Sequence, residues 1–219
     1  APARGHYAFD HQGADDGEEI EVAGIVLRAR ATPGHTPEHL AWEVYDQAVG
    51  DDTPAAVLTG GSLLVGSVGR TDLLGDDATE ELTREQFRSL RALASLPDDV
   101  AVWPTHGSGS FCAAGPMLDA PTSTIGAERF ANPLFAIADA GAFHDRLVSG
   151  FVPYPAYYRE MAPMNRAGPR VLGGRPSLVA LDPTAVAAAI ANGARIVDAR
   201  PRREIAAGHL PGSLTVELR

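Results

Sequence analysis

Three short apolar runs, each ending in a sharp turn and then polar side chains, constrain this chain more than any other feature. The first lies within EIEVAGIVLRARAT at Glu19–Thr32 and leads into ATPGHT at Ala31–Thr36. Pro33 and Gly34 bend the backbone there, so that His35 points off the strand end. The second, AVL at Ala56–Leu58, leads into TGGSLLVGSVGRTD at Thr59–Asp72. The third, VAV at Val100–Val102, leads into WPTHG at Trp103–Gly107. A sheet edge that repeats strand, turn and polar residue in this way carries a metal or catalytic site.

The segments between these turns complete an α/β pattern. Ile20, Val22, Val26 and Leu27 suggest two strands, with Ala23 and Gly24 as a hairpin turn. LAWEVY at Leu40–Tyr45 is rich in aromatic and β-branched residues and reads as another strand, and residues 50–54 as a turn. Apolar residues at Leu82, Phe87, Leu90, Leu93 and Ala94 predict a helix over Asp77–Leu96, with a capping box at Asp77 and Glu80 and Pro97 as its stop. Ser108–Pro121 reads as an ordered loop over the site or a linker. Helices are expected at 124–132 and 138–149, and a short aromatic one at 153–161. NRAGPRVLGGRP, at Asn165–Pro176, marks a domain boundary, with 166–176 as the linker. Beyond it, a strand at Ser177–Leu181, a helix capped by Asp182 with Pro183 at its first position and closed by Gly193, and a strand at Arg195–Ala199 suggest a small α/β unit with a parallel sheet.

Composition narrows the function. The chain has 219 residues, 45% of them hydrophobic, which suits one large domain or two small ones. A net charge of −10 with no basic patch argues against nucleic-acid binding. No apolar run is long enough to span a membrane, and the first residues lack the pattern of a signal peptide. The one cysteine, Cys112, forbids an internal disulfide and fits a cytoplasmic protein. In GSFCAAG it reads as a small buried or loop residue rather than a nucleophile. His6 and His11, among acids and glycines, read as surface histidines.

His35 and His106 come from separate strand ends and are the first candidate metal ligands, because neutral imidazole offers a lone pair near pH 7. A carboxylate between them would complete a three-ligand site with an open position, and Asp72 is the nearest candidate in the sequence. Arg70 can hold an anionic substrate end through a forked pair of hydrogen bonds. The other reading of Arg70 and Asp72 is a local salt bridge. The tyrosines and Phe151 at 151–158 either line a pocket or pack against the main domain.

The order ATPGHTPEH, TGGSLLVGSVGRTDLLG, VWPTHG resembles the second part of a metallo-β-lactamase-fold domain of the glyoxalase II and persulfide dioxygenase branch. The resemblance covers residues 1–165 and implies part of an αββα sandwich. It implies that His35 is a metal ligand and that His106 is one in binuclear members, or stands nearby in mononuclear iron members. In this branch the GRTD residues, here Arg70 and Asp72, look like pocket-shaping residues. The implied cofactor is one or two divalent ions, iron or zinc. Two departures stand out. No HxHxDH motif is present, and the aspartate that follows TG in the family is Gly61 here. Ser62 is a poor substitute beside a carboxylate. A third possibility is that His39 or Asp72 rebuilds the site around Gly61.

From about Ser177 the chain resembles the start of a rhodanese domain, with Asp198, Arg200, Glu204, Gly208, His209, Pro211 and Gly212 in the expected order and His209 structural. The sequence stops before the loop cysteine that carries sulfur in such domains. Together the two resemblances imply a metal-dependent hydrolase or persulfide dioxygenase-like enzyme. It would act on the persulfide or thioester of a low-molecular-weight thiol, in sulfur metabolism. The alternative is a non-catalytic module that has lost its metal site. The chain looks cut at both ends, so the parent is expected to be the enzyme and this stretch alone to be inactive. An uncovered sheet face and a tail of about 40 residues, near the lower limit for an unaided core, predict poor solubility or homo-oligomers.

Overall fold

The computed structural model describes residues 1–50, 52–174 and 177–217. The alternating pattern at Glu19–Thr32 folds as the expected hairpin. β1 (Glu19–Val22) and β2 (Ile25–Ala31) pair antiparallel. Ala23 and Gly24 make the turn with φ of 52° and 81°, the hand that matches strand twist. β3 (Leu40–Asp46) and β4 (Ala56–Gly60) extend the sheet antiparallel. Asp51, in the turn expected at 50–54, lies outside the described residues. β5 (Ala101–Pro104) joins β4 in parallel, and β6 (Ser123–Thr124) adds an antiparallel edge, giving six strands in chain order.

Parallel neighbours need a long crossover, and α1 (Asp76–Leu93) supplies it between β4 and β5. The expected capping box at Asp77 and Glu80 does not form. The helix begins one residue earlier, after Gly75 at φ 98°, and no side chain caps it. Glycine takes that angle without a Cβ clash. Asp76 and Asp77 sit instead in the first turn, where the helix dipole favours negative charge. Downstream, α2 (Ile125–Ala131) and α3 (Ala140–Val148) are capped by Thr124 and Asp139, whose side chains accept the N–H groups of Ala127 and Ala142.

These helices bury one face of the sheet. Ala41, Val57 and Val102 from the strands meet Leu90 and Leu93 of α1, Ile125 of α2, and Phe143 and Leu147 of α3. Glu43 is buried on β3 and remains satisfied: Arg30 pairs with it, and Tyr45 Oη donates to it at 2.8 Å. Strand register sets Ile20 opposite Leu27, Trp42 opposite Leu58, and Leu58 beside Trp103. On this side Ile20, Leu58 and Trp103 are 37–44% exposed.

α4 (Tyr158–Ala167) starts later than the aromatic helix expected at 153–161. Pro153 and Pro155 lack the N–H that a helix interior needs and disfavour helical backbone in the residue before each. The helix therefore starts only after the turn at Ala156 and Tyr157. It also runs past Asn165, where the boundary was expected to begin.

The chain divides into two compact units, Ala1–Pro169 and Arg170–Arg219. Arg175 and Pro176 of the expected linker, and Leu218 and Arg219 of the tail, lie outside the described residues. In the second unit α5 (Pro183–Ala191) has its Asp182 cap and N-terminal proline as read from sequence. The strand expected at 177–181 is absent, because these residues find no pairing strand; Leu178 and Val179 are highly exposed. The parallel pair forms later, between β7 (Val197–Asp198) and β8 (Leu214–Thr215), with α6 (Arg202–Ala207) between them. Asp198 forms a forked pair with Arg200, which also donates to the Gly208 carbonyl. That pairing holds the Asp198 carboxyl down at about 2. Among the described residues no helix is long and apolar enough to cross a membrane.

Phe143 tests the helix layer. It is fully buried and its ring lies 5.2 Å from that of Phe87. Phe143→Ala is expected to cost about 3–5 kcal/mol, read as a lower midpoint in urea unfolding, whereas Phe130→Ala on the exposed side of α2 should leave the midpoint unchanged.

Candidate functional site

His35 follows β2 and is nearly buried, 9% exposed. Its Nδ1 lies 2.8 Å from the Arg70 carbonyl oxygen. A carbonyl only accepts, so Nδ1 carries the proton and Nε2 keeps a lone pair for a ligand. The ring packs where two glycines leave room. A Cβ at position 61 would lie 2.2 Å from His35 Cδ2, and one at 69 would lie 2.8 Å from His35 Cγ. The glycine-rich stretch thus has a steric reason. Position 61 cannot take a side chain while His35 stays in place.

His39 is closely held and is no free ligand. Its Nε2 accepts the Gly61 N–H at 3.1 Å, and its Nδ1 meets Thr32 Oγ1 at 2.8 Å and Ser62 Oγ at 3.1 Å. Burial, reinforced by the nearby His35, lowers it to about 4, so it stays neutral at ordinary pH.

The third turn delivers His106, whose ring centroid is 6.4 Å from that of His35. Cys112 completes the group. The donor atoms of His35, His106 and Cys112 all lie within 4.8 Å of one another. Tyr158 Oη is 3.6 Å from Cys112 Sγ. Burial pushes the Cys112 thiol up, but hydrogen bonding with His106, His35 and Tyr158 outweighs it and brings the thiol down to about 5. The same bond with Cys112 raises His106, against the opposing effect of burial.

Cys112 is buried, as the sequence suggested, yet it is also part of the site, which the sequence reading missed. It arrives through backbone pairing. The Arg70 N–H donates to the Cys112 carbonyl at 2.8 Å, and the Ala114 N–H donates to the Val68 carbonyl at 2.9 Å. The only sequence signal is its nearness to His106 in one loop.

Arg70 and Asp72 stand apart from this group. Nε and Nη2 of Arg70 donate to the two carboxylate oxygens of Asp72, each at 2.6 Å. Nη1 donates to the carbonyls of Phe111 and Val152. The guanidinium also lies over the rings of Phe151 and Tyr154. Arg70, 2% exposed, thus spends its fork inside the protein, as does Asp72. The cluster opens on a cavity of about 320 Å³ lined also by Tyr7, Tyr158, Met161 and Arg166.

A buried polar edge of α1 holds the turns. Thr83 Oγ1 meets Thr71 Oγ1 at 2.7 Å, Gln86 Nε2 donates to the Ser62 carbonyl, and Ser89 Oγ donates to the Pro33 carbonyl at 2.7 Å. Glu128 of α2 accepts the Gly66 N–H, and Asn132, just past the end of that helix, donates to the Ser67 carbonyl. Gln86→Leu would strand the Ser62 carbonyl in the interior. The expected loss is about 1–3 kcal/mol in urea unfolding, with faster hydrogen exchange at residues 60–63; an unchanged midpoint would contradict this role.

No family model matches the chain. An uncharacterised protein of Mycobacterium tuberculosis is 35% identical over 119 residues, 54% of this chain and 44% of that protein. A hydroxyacylglutathione hydrolase of Chromohalobacter salexigens is 29% identical over 160 residues, 63% of this chain and 58% of the relative. The human mitochondrial persulfide dioxygenase is 26% identical over 125 residues, 57% and 41% of the two chains. The chain thus spans roughly half the length of the curated relatives it matches. The crystal structure of a metallo-β-lactamase from Staphylococcus aureus superposes with a TM-score of 0.84 at 27% identity, over 100% of this chain and 61% of that one. The architecture is accordingly that of the metallo-β-lactamase fold, and hydroxyacylglutathione hydrolase and persulfide dioxygenase are among the homologues of this chain.

Proposed function

We propose that the unit Ala1–Pro169 contributes a metal site to an enzyme of sulfur metabolism, one that acts on a thioester or persulfide of a low-molecular-weight thiol. The observation that carries this reading is the convergence of His35, His106 and Cys112 on one cavity. The relatives support it by chemistry, since one hydrolyses a hydroxyacyl thioester of glutathione and another is a persulfide dioxygenase by name. The donors present fit a divalent ion: His35 keeps its Nε2 lone pair and the group includes a thiol. The chemistry such an ion supplies is Lewis-acid polarisation of a thioester carbonyl or reaction with dioxygen.

The side chains around the cluster suit a thiol substrate. Tyr7, Leu74 and Met161 offer an apolar wall, and Arg166 offers a cation for an anionic end. Arg166 takes the part that the sequence reading gave to Arg70, whose fork is engaged by Asp72 and the Phe111 and Val152 carbonyls. Cytoplasmic location is part of the same proposal, resting on the single, unpaired Cys112. For the second unit we favour the start of a rhodanese-like domain, on the Asp198–Arg200 pair, the Gly208 carbonyl it binds, and the parallel strands around α6.

Gly61 favours a second reading, a module without catalysis. It has no carboxylate, and a Cβ there would collide with His35. Assays on the full-length gene product separate the two. The enzyme reading expects thiol release from a hydroxyacyl thioester or dioxygen consumption with a persulfide, lost by roughly 100-fold or more in His35→Ala. Absence of both activities in a folded, metal-supplemented protein would establish the module instead.

The apolar sheet side bearing Ile20, Leu58 and Trp103 supports self-association. Sedimentation velocity of the 219-residue chain is expected to show concentration-dependent oligomers, and a monodisperse monomer at every concentration would refute this.

A further inference from the structure

We propose that Cys112 is itself a metal ligand, and that His35 Nε2, His106 and Cys112 Sγ together hold one thiophilic divalent cation of the zinc type. This rests on the metal-site reading above and assigns it a ligand set in which a thiolate, not a carboxylate, supplies the negative charge.

Four observations converge. The three donor atoms lie within 4.8 Å of one another. Zinc–nitrogen and zinc–sulfur bond lengths place tetrahedral donors about 3.3–3.8 Å apart, so closure on an ion takes shifts of about 1 Å. The other candidates read from the sequence are engaged elsewhere: Arg70 binds both oxygens of Asp72, and His39 uses both ring nitrogens. Glu38 lines the cavity but lies outside the group of donors within 4.8 Å. Position 61 has no donor, and the His35 ring fills the space where its side chain would begin.

The last observation concerns support. A metal-bound histidine is normally oriented by a hydrogen bond from its other nitrogen. His35 has that bond, to the Arg70 carbonyl. The amide of the same residue donates to the Cys112 carbonyl. One peptide segment therefore fixes two ligands that lie far apart in the sequence, and the buried Arg70 side chain anchors that segment. Such a shared support is what a preformed metal site requires and a chance cluster lacks.

The metal–sulfur bond forms on the Cys112 thiolate, any proton held between Cys112 and His106 leaves to solvent, and no oxidation state changes. Three protein ligands leave a fourth position open toward the cavity. Thiolate favours zinc over magnesium or manganese.

Cobalt(II) is the probe. Added to the 219-residue chain, it should bind one ion per chain and give a near-ultraviolet thiolate-to-cobalt charge-transfer band. Cys112→Ser should lose the band and weaken binding by at least the roughly 10–100-fold that an outer partner is worth. His144→Ala, on α3 away from the cluster, should keep it. Cys112 is the only cysteine, so thiol titration with a chromogenic disulfide gives a test that needs no variant. Zinc should slow that reaction about tenfold or more, and a chelator should restore it. Cobalt bound without the band, zinc that leaves thiol reactivity unchanged, or no binding at all would overturn the proposal. Thioester or persulfide turnover without the band would spare the enzyme reading and sink this ligand set. The band without turnover in the full-length product would do the reverse.

Discussion

The candidate site depends on one edge of a helix. α1 buries Thr83, Gln86 and Ser89 beside its apolar stripe, and each bonds a different turn: the one after Arg70, the one after Gly61, and the one before His35. Surface loops are mobile when their backbone groups bond only water. Here three of them share one rigid partner. Hydrophobic burial of Leu90 and Leu93 fixes the helix on the sheet, and the polar edge passes that rigidity to the turns. Core packing and site geometry are therefore one construction, because the same helix turns carry both kinds of residue.

Arg70 does the equivalent work from the other side. Burying a guanidinium is costly unless its charge is paired and its donors are satisfied. Asp72 supplies the charge, the Phe111 and Val152 carbonyls take further donors, and two aromatic rings cover the face. With the side chain so fixed, its own carbonyl and amide become fixed points, and those are the groups that meet His35 and Cys112. A residue that looked like a substrate contact in sequence acts through its backbone in the structure.

What was legible in the sequence follows from range. The hairpin at Ala23–Gly24, the strands of the first sheet, α1 and the cap at Asp182 are set by neighbours along the chain, and the residue pattern shows them. His35 and His106 were legible as candidates because each closes a strand and a turn. Asp72 was added for its nearness in sequence, and in the fold both its oxygens accept from the Arg70 fork. Cys112 and Gln86 were not legible. Their roles come from contacts across 42 and 24 residues, between Arg70 and Cys112 and between Gln86 and Ser62. The strand expected at 177–181, which does not form, shows the same limit in reverse. Its composition suits a strand, but a strand exists only with a partner.

Gly61 ties these points together. Read from the sequence alone, it is a deletion: a ligand position with no ligand atom. In the fold it is an occupied place. The His35 ring lies against it, its N–H is held by His39, and its carbonyl crowds Gly69. A carboxylate at 61 would displace the ring and break the bond to Arg70 that sets its tautomer. Glycine at 61 thus goes with a seated His35 ring, and it leaves any counter-charge for an ion to another residue. An ion held only by two neutral imidazoles in a partly buried cavity keeps its full charge, and the desolvation cost is then high. Within the donor group Cys112 is the member that can lower it, because its sulfur binds as a thiolate and stays as the counter-charge. The position that seems to have lost its chemistry and the cysteine that seemed to have none are, on this account, two halves of one adjustment.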